Sequence, residues 1–400
     1  MNRQLPVLSK GRSAPPPPAS VEPGTFKYED RRFQNVALAI VKVTHRCNLD
    51  CEYCYEHIAP GADMDLSLFR RLVSKLIRST QQESLSIVFH GGEPSIMSDR
   101  WLTEAVKFVR TEARIFGKSV RLGMQSNMLA ISEKKFELIR DLDISLGVSM
   151  DGPADIPNAM RPLADRAALK YGLARKLGVR IGILLTINHS NWSRYRQIMA
   201  WLHKDLDVSS CKANPVTPVG MGRELPWLEP ESIFAANKDI LDYMIESNGA
   251  IVEDNMLREL RRFVDPARPA EERTLCNRQN CGAGSEVIGI TPDGNILPCG
   301  RFGWDESEYY LGHLAGDGEQ LDQNYTDLVR NFHAQVPETW YDCDNCDARK
   351  ICSFGCQAFI VRSKRQANVD CLPTKMRFAY FQTKRKEIEG LVKQITAPQN

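Results

Sequence analysis

The sequence predicts an α/β fold, a partial (β/α)6 TIM-like barrel followed by a cysteine-rich region, on three observations. Six short apolar runs alternate with amphipathic stretches, most of the runs end in polar or glycine-containing turns, and eight of the twelve cysteines fall in the last third of the 400 residues. Val36 to Val43 reads as a buried strand and leads into Thr44-His45-Arg46-Cys47-Asn48-Leu49-Asp50-Cys51-Glu52-Tyr53-Cys54-Tyr55. Leu66 to Thr80 has apolar residues at three- and four-residue intervals, the spacing of one helix face. Ser86 to His90 is a second strand, ending in Gly91-Gly92-Glu93-Pro94, and Trp101 to Phe116 a second helix. Val120 to Gln125 ends in Ser126-Asn127 and is followed by the helical stretch Ser132 to Asp141. Ile144 to Met150 ends in Asp151-Gly152-Pro153, before the helix Ala164 to Gly178. Arg180 to Ile187, the helix Trp192 to His203 and a strand around Val208 to Lys212 complete the series. Strictly alternating strands and helices imply parallel strands with right-handed crossovers. Ligand chemistry then belongs at the strands' carboxyl ends.

Cys47, Cys51 and Cys54 supply three thiolates in one tight loop, whereas a cube of four irons and four sulfides is usually closed by four. One iron is thereby left for something that is not protein. A zinc site or three buried thiols is the competing reading, but zinc generally pairs its ligands as Cys-x2-4-Cys and needs a fourth nearby. The spacing Cys-x3-Cys-x2-Cys, with Tyr53 and Tyr55 around the last cysteine, resembles the signature of the radical S-adenosylmethionine (SAM) superfamily. The resemblance implies that the open iron chelates the methionine moiety of SAM. One electron then cleaves the sulfonium to a 5′-deoxyadenosyl radical. It also implies that Gly91, Gly92 and Glu93 form the motif holding the methionine amine, the glycines letting backbone approach a ligand and Glu93 accepting from the ammonium. Ser126 and Asn127 would reach the ribose, Ser149 and Arg161 the carboxylate and nearby polar groups, and Leu184 with Leu185 the adenine. Tyr53 would join the cofactor site. The competing reading of Asp151-Gly152-Pro153 is an ordinary turn in which Asp151 caps backbone.

In the carboxyl-terminal third, Val287 to Ile290 and Asn295 to Leu297 flank Asp293-Gly294 as a β-hairpin. The order Cys281, Gly294 in a Pro-Asp-Gly turn, Cys299, Cys343-x2-Cys346-x5-Cys352-x3-Cys356 and Cys371 resembles the SPASM domain of peptide-modifying radical enzymes. By that resemblance Cys276, Cys281, Cys299 and Cys356 would hold one auxiliary 4Fe-4S cluster and Cys343, Cys346, Cys352 and Cys371 a second, making three with the radical cluster. Two structural zincs are the alternative, since Cys-x2-Cys is also zinc spacing. Cys211 reads as a small core residue.

Fifty-two basic and fifty acidic residues give a formal charge of +2, with no case for nucleic acid. No apolar stretch approaches membrane-helix length, and the amino terminus lacks a signal-peptide core. Cysteine usage points to a reducing, cytoplasmic location. The expected organisation is a flexible Pro-rich arm (1–34), the barrel (35–215), a helical bridge (216–275), the auxiliary-cluster domain (276–371) and one final helix (372–400).

The resemblance implies a peptide or protein substrate. Anaerobic sulfatase-maturing enzymes, which make formylglycine, carry an aspartate directly after the third cysteine of the first auxiliary set, as the base. Here that position is Gly300, which removes the proton acceptor. The expected activity is therefore cross-linking within a ribosomally made precursor peptide, for example from an aromatic ring to a β-carbon to give a cyclophane. Flavodoxin or ferredoxin would supply electrons. The stretch before Val36 is too short for a winged-helix leader-recognition domain, so leader binding is expected to fall to a separate protein or to the barrel rim. Glu224, Asp305 and Glu306 are candidate bases by loop position.

Overall fold

A computed structural model describes residues 30–56, 61, 63–156, 160–266, 275–276, 281–316, 325–327, 329–330, 343–362 and 369–396. Its strands are β1 Leu38–Thr44, β2 Ser84–Gly91, β3 Ser119–Ser126, β4 Ile144–Ser149, β5 Ile181–Ile187, β6 Ser210–Pro215, β7 Val252–Glu253, β8 Val287–Ile290, β9 Asn295–Leu297 and β10 Gly312–His313. All ten lie in one sheet, ordered β10-β9-β8-β1-β2-β3-β4-β5-β6-β7. From β1 to β7 neighbours are parallel and consecutive, and for the six strands β1 to β6 this is what the alternating sequence predicts. Helices α1 Leu66–Ser79, α2 Asp99–Ile115, α3 Glu133–Asp141, α4 Ala164–Lys176 and α5 Tyr195–Lys204 are the crossovers. The stretch expected to be helical from Trp192 begins instead with a 3-10 turn, Trp192–Arg194.

Alternation along β1 assigns its two faces. Ala39, Val41 and Val43 are buried in the core, where Phe69, Leu72 and Leu76 of α1 and Phe89 of β2 also lie. Ile40 faces the interior of the barrel, where it lines a cavity. At the carboxyl end the β1–β2 register shifts between Lys42 and Thr44. Such irregularities re-aim the backbone that leaves a strand, and here that backbone is the three-cysteine loop.

The hairpin β8–β9 forms as expected, but it does not stand apart. β8 pairs in parallel with β1, Leu38 opposite Val287 and Val41 opposite Ile290, so the edge that the sequence leaves open is occupied. β7 adds to the other edge through Ser210–Val252 and Cys211–Glu253 pairing; two residues are too few to show in a periodicity. The bridge consists of α6 Pro230–Glu246 and α7 Asp254–Val264.

Two expected boundaries move. Residues 1–29 of the arm lie outside the described residues, but 30–34 belong to the fold. Phe33 is fully buried, and Asp30 is ion-paired with Arg32 at 2.6 Å and Lys75 at 3.3 Å. The final segment is two helices, α9 Cys371–Thr383 and α10 Arg385–Thr396, after the short α8 Gln357–Arg362. The backbone leaves helical geometry at Lys384, so α9 can pack Phe378 and Phe381 edge-on to Phe263 while α10 buries Ile388, Leu391 and Val392. No helix among the described residues is long and apolar enough to cross a membrane.

Candidate active site

The carboxyl ends of the strands enclose one cavity of about 360 Å³. Cys47, Cys51 and Cys54 line it from the loop after β1, Gly91, Gly92 and Glu93 from the end of β2, Ser126 and Asn127 from β3, Ser149 from β4 and Leu184 from β5. Tyr53 and Arg161 line it too. Cys276, Cys281, Cys299 and Cys356 face the same cavity from the carboxyl-terminal region. The structure thus gathers the expected cofactor residues and one of the two four-cysteine sets around a single space. Of the other set, burial raises the thiol pKa of Cys352 and of Cys371. None of the twelve cysteines is in a disulfide.

Backbone contact places the cysteine loop. Gly92 N donates to Thr44 O at 2.9 Å and Glu93 N to Arg46 O at 2.8 Å. A β-carbon on Gly92 would lie 2.2 Å from Arg46 O, and Gly91 holds φ +114° against Thr44 O. The two glycines therefore serve close approach of protein to protein, where the sequence suggests approach to a ligand. Arg46 and Thr44 also clasp Asp63, with Nε at 3.0 Å and Oγ1 at 2.7 Å from Oδ1.

Glu93 is almost fully buried and receives three protein donors. Ser126 Oγ (2.7 Å) and Ser95 N (3.0 Å) reach Oε1, and Asn127 N (2.7 Å) reaches Oε2. A carboxylate offers about four acceptor positions, so one on Oε2 is left for an ammonium group. Ser126 and Asn127, expected at a ribose, are hydrogen-bonded within the protein. Asn127 Nδ2 donates to Asn48 Oδ1 at 2.9 Å and lies 3.9 Å from Cys47 Sγ. Ser149 Oγ accepts from Gln125 Nε2 at 2.8 Å.

Asp151, which the sequence leaves as a turn cap, is the anchor of the opposite wall. It accepts from Thr186 N at 2.9 Å, from Arg161 Nε at 3.1 Å and from the Tyr53 hydroxyl, and Arg161 Nε also reaches Tyr53 Oη at 2.8 Å. Burial opposes charge on Arg161, but Tyr53, Asp151 and Cys51 together hold its pKa well above the usual value. A permanent cation therefore faces the cavity beside Cys51.

A third network was invisible in the sequence. Lys42, fully buried on β1, donates to Glu56 at 2.9 Å and to Phe302 O at 2.5 Å. It ties the end of the cysteine loop to the strand-end turn that carries Cys299. Gly91 N donates to His90 Nδ1 at 2.8 Å, which leaves the proton on Nε2 to be donated to Tyr55 Oη, also at 2.8 Å. Burial, then the Lys42 charge, lowers the His90 pKa to about 3. The unfolded chain protonates this ring near 6.5 and the folded one does not, so its contribution to stability is present above 6.5 and lost as pH falls towards 3. Between about pH 7 and pH 5 the wild type should lose about 2 kcal/mol more unfolding free energy than His90→Gln, measured by urea titration.

The surroundings suit an iron–sulfur cluster. Burial raises the Cys54 thiol to about 12 and pushes Cys47 and Cys51 upward as well, so a bound cation is what would hold all three as thiolates. The amide near Cys47 Sγ is the kind of contact that tunes cluster sulfur. No three His, Cys, Asp or Glu side chains among the described residues converge on one ion-sized point; a cube does not require it, since each thiolate takes its own iron.

Two carboxylates line the cavity, Glu56 and Glu93, and both are engaged as above. The candidate bases lie elsewhere: Glu306 is paired with Arg362, Asp305 stands 3.9 Å from Arg223, and neither they nor Glu224 lines the cavity. At Gly300 an added β-carbon would sit 2.7 Å from Ile40 Cγ2, so this packing leaves no room for an aspartate. Cys211 is buried in the core against Met199, as expected.

The Radical SAM superfamily description matches residues 41–202. A cysteine-type anaerobic sulfatase-maturating enzyme of Clostridium novyi is 23% identical over 353 residues, covering 81% of this chain and 88% of that protein. The antilisterial bacteriocin subtilosin biosynthesis protein AlbA of Bacillus subtilis is 23% identical over 328 residues, covering 80% of this chain and 66% of AlbA. The solved structure of native anSMEcpe with bound AdoMet and Cp18Cys peptide superposes with a TM-score of 0.73 at 17% identity, covering 90% of this chain and 99% of that one, and shares the fold. With the cysteine loop, the glycine-glycine-glutamate strand end and the partial barrel all inside or beside the matched segment, residues 41–202 are a radical SAM domain and this chain is an enzyme.

Proposed function

We propose that this enzyme matures a ribosomally made peptide by forming a cross-link between two of its side chains. One cavity carries the reading: it has the three-cysteine loop on one wall, Cys276, Cys281, Cys299 and Cys356 on another, and, among the described residues, no carboxylate free to act as a base. Bound to Cys47, Cys51 and Cys54, a 4Fe-4S cluster with SAM supplies a 5′-deoxyadenosyl radical. Glu93 would hold the methionine ammonium, Arg161 and Ser149 its carboxylate, and Leu184 the adenine. Tyr53 and Asp151 hold Arg161 in place.

Joining two side chains removes two hydrogens from the peptide. One leaves as the abstracted atom, giving 5′-deoxyadenosine and methionine. The other would leave as a proton to solvent water, and the remaining electron would be taken up by two auxiliary 4Fe-4S clusters of SPASM type, one held by Cys276, Cys281, Cys299 and Cys356, the other by Cys343, Cys346, Cys352 and Cys371. With four cysteines each, neither cluster has an iron open to the peptide. A flavodoxin or ferredoxin is the electron source, and a separate protein or the barrel rim binds the leader.

Formylglycine formation is the second reading, favoured by similarity to the Clostridium novyi enzyme along most of both chains. A cysteine-containing sulfatase peptide separates the two, because an aldehyde product, trapped by a hydrazide, would replace the cross-linking reading. For either chemistry, anaerobic reconstitution should give about twelve irons per chain. Chemical reduction with SAM should then release 5′-deoxyadenosine, and Cys47→Ala, Cys51→Ala and Cys54→Ala should each abolish that release. Release that persists in these variants would sink the assignment.

A further inference from the structure

Two arginines line the main cavity, each beside cysteines, and they differ in what balances them. Arg161, beside Cys51, is ion-paired with Asp151 at 3.1 Å. Arg301 lies in the turn after β9, two residues from Cys299, on the wall that carries Cys276, Cys281, Cys299 and Cys356. Burial opposes its charge, yet Cys356, Tyr55, Cys276 and Cys299, in that order, hold its pKa above the usual value. The converse agrees: burial raises the Cys356 thiol, and the Arg301 charge is the next largest influence on it and lowers it. Asp370 is also within reach of Arg301, but Arg377 acts on it more strongly.

One short helix holds the guanidinium in this position. The Phe359 ring of α8 lies 4.8 Å from Arg301 Cζ, within cation–π range. Phe359 N donates to Cys356 O at 2.9 Å, so the ring and that cysteine share one helical turn. Arg362, at the far end of α8, donates to Arg301 O at 2.7 Å and is itself paired with Glu306 at 2.6 Å. The backbone N–H of Arg301 donates to the Cys299 sulfur and so counteracts the rise that burial causes there. A single residue thus aims an amide at one cysteine of the set and a positive charge at another.

Net charge, hydrogen bonds to sulfur and solvent exposure set the potential of an iron–sulfur cluster. An added electron makes the cluster more negative, so a fixed cation nearby favours the reduced form, and more so where water is excluded. A cation already paired with a carboxylate, as Arg161 is, contributes less, because the two fields largely cancel. We propose that Arg301 raises the reduction potential of the auxiliary cluster on Cys276, Cys281, Cys299 and Cys356, so that the electron left by cross-linking enters that cluster and does not return to the radical cluster; this rests on the auxiliary-cluster reading above. One electron leaves the peptide and one enters the cluster, and Arg301 supplies neither atom nor proton. It acts through the metal centre as a positioning residue.

The test is an anaerobic redox titration followed by electron paramagnetic resonance, on the reconstituted full chain carrying Cys47→Ala, Cys51→Ala and Cys54→Ala, in which only auxiliary centres are left. With Arg301→Gln added, one of the two midpoint potentials should fall by about 59 mV, a tenfold loss in the equilibrium constant for one-electron uptake, while the other stays in place. Arg301→Lys keeps the charge and should remain within about threefold of the parent. Unshifted midpoints in Arg301→Gln overturn the proposal. A shift in Arg301→Lys as large as that in Arg301→Gln overturns it too, because the planar fork and its packing, not the charge, would then matter. Loss of about four irons in Arg301→Gln would make the residue part of cluster assembly and equally overturns it. A parent protein without auxiliary iron fails the auxiliary-cluster reading itself, whereas full iron with unmoved potentials fails this proposal alone.

Discussion

Alanine at position 92 should reduce 5′-deoxyadenosine release by at least about a hundredfold while leaving the far-ultraviolet circular dichroism unchanged. The new β-carbon would lie 2.2 Å from Arg46 O, 2.6 Å from Arg46 C and 2.9 Å from His45 O. All three are backbone atoms, so no side chain can rotate out of the way. Relief requires the loop to retreat by about 1 Å, and the two hydrogen bonds from Gly92 N and Glu93 N lengthen with it. Overpacking of this kind costs about 1–3 kcal/mol and each lost hydrogen bond about 1 kcal/mol more. The effect on chemistry is larger than on stability, because a misplacement of about 1 Å can cost a hundredfold in rate. Iron analysis gives an independent reading: about four of roughly twelve irons should be lost, since the displaced loop carries one cube. Full activity and full iron in Gly92→Ala would show that the loop does not sit against the second strand.

Asp151→Asn should weaken SAM binding by about ten- to a hundredfold, as measured by the perturbation of the cluster's electron paramagnetic resonance on titrating SAM. The carboxylate meets the Tyr53 hydroxyl, Arg161 Nε and Thr186 N, and Asp151 is nearly inaccessible to solvent. An asparagine can still accept from Thr186 N, but its NH2 group then faces Arg161, donor against donor. Removing one partner of a buried ion pair costs about 3–5 kcal/mol, so the melting temperature should fall as well. A variant that merely unfolds would lose all its iron. The specific outcome is a protein that keeps its iron and has a raised Kd for SAM. Unchanged affinity would mean that Arg161 needs no support from Asp151.

Residues whose role follows from strand order were legible in the sequence. The three-cysteine loop, the glycine-glycine-glutamate turn and Ser149 sit at strand ends and Leu184 in the middle of β5, so a correct count of strands and helices was enough to bring them around one cavity. What escaped reading depends on contacts between distant segments. Lys42 looks like a polar interruption of an apolar strand, and nothing local says that Glu56 and Phe302 O will receive its amine. Asp151 can also be read as a turn residue, because two of its three partners, Tyr53 and Thr186, are 98 and 35 residues away in sequence. Ser126 and Asn127 line the cavity as expected from strand order, but their hydrogen bonds to Glu93 and Asn48 could not be read from the sequence, because those acceptors lie 33 and 79 residues away. The arm's end was drawn too late because Asp30 and Phe33 are only two polar-flanked anchors, too few to register as periodicity.

Pairing of β8 with β1 has a mechanical corollary. The strand that launches the three-cysteine loop and the first strand of the hairpin that leads to Cys299 are neighbours on one hydrogen-bonded ladder, so parting the two cysteine-bearing halves would mean breaking that ladder. The spacing between their cysteines is thereby set as the polypeptide folds. A protein cut before Val287 would instead bare an apolar parallel edge along Leu38 to Val41 and stick to its own kind.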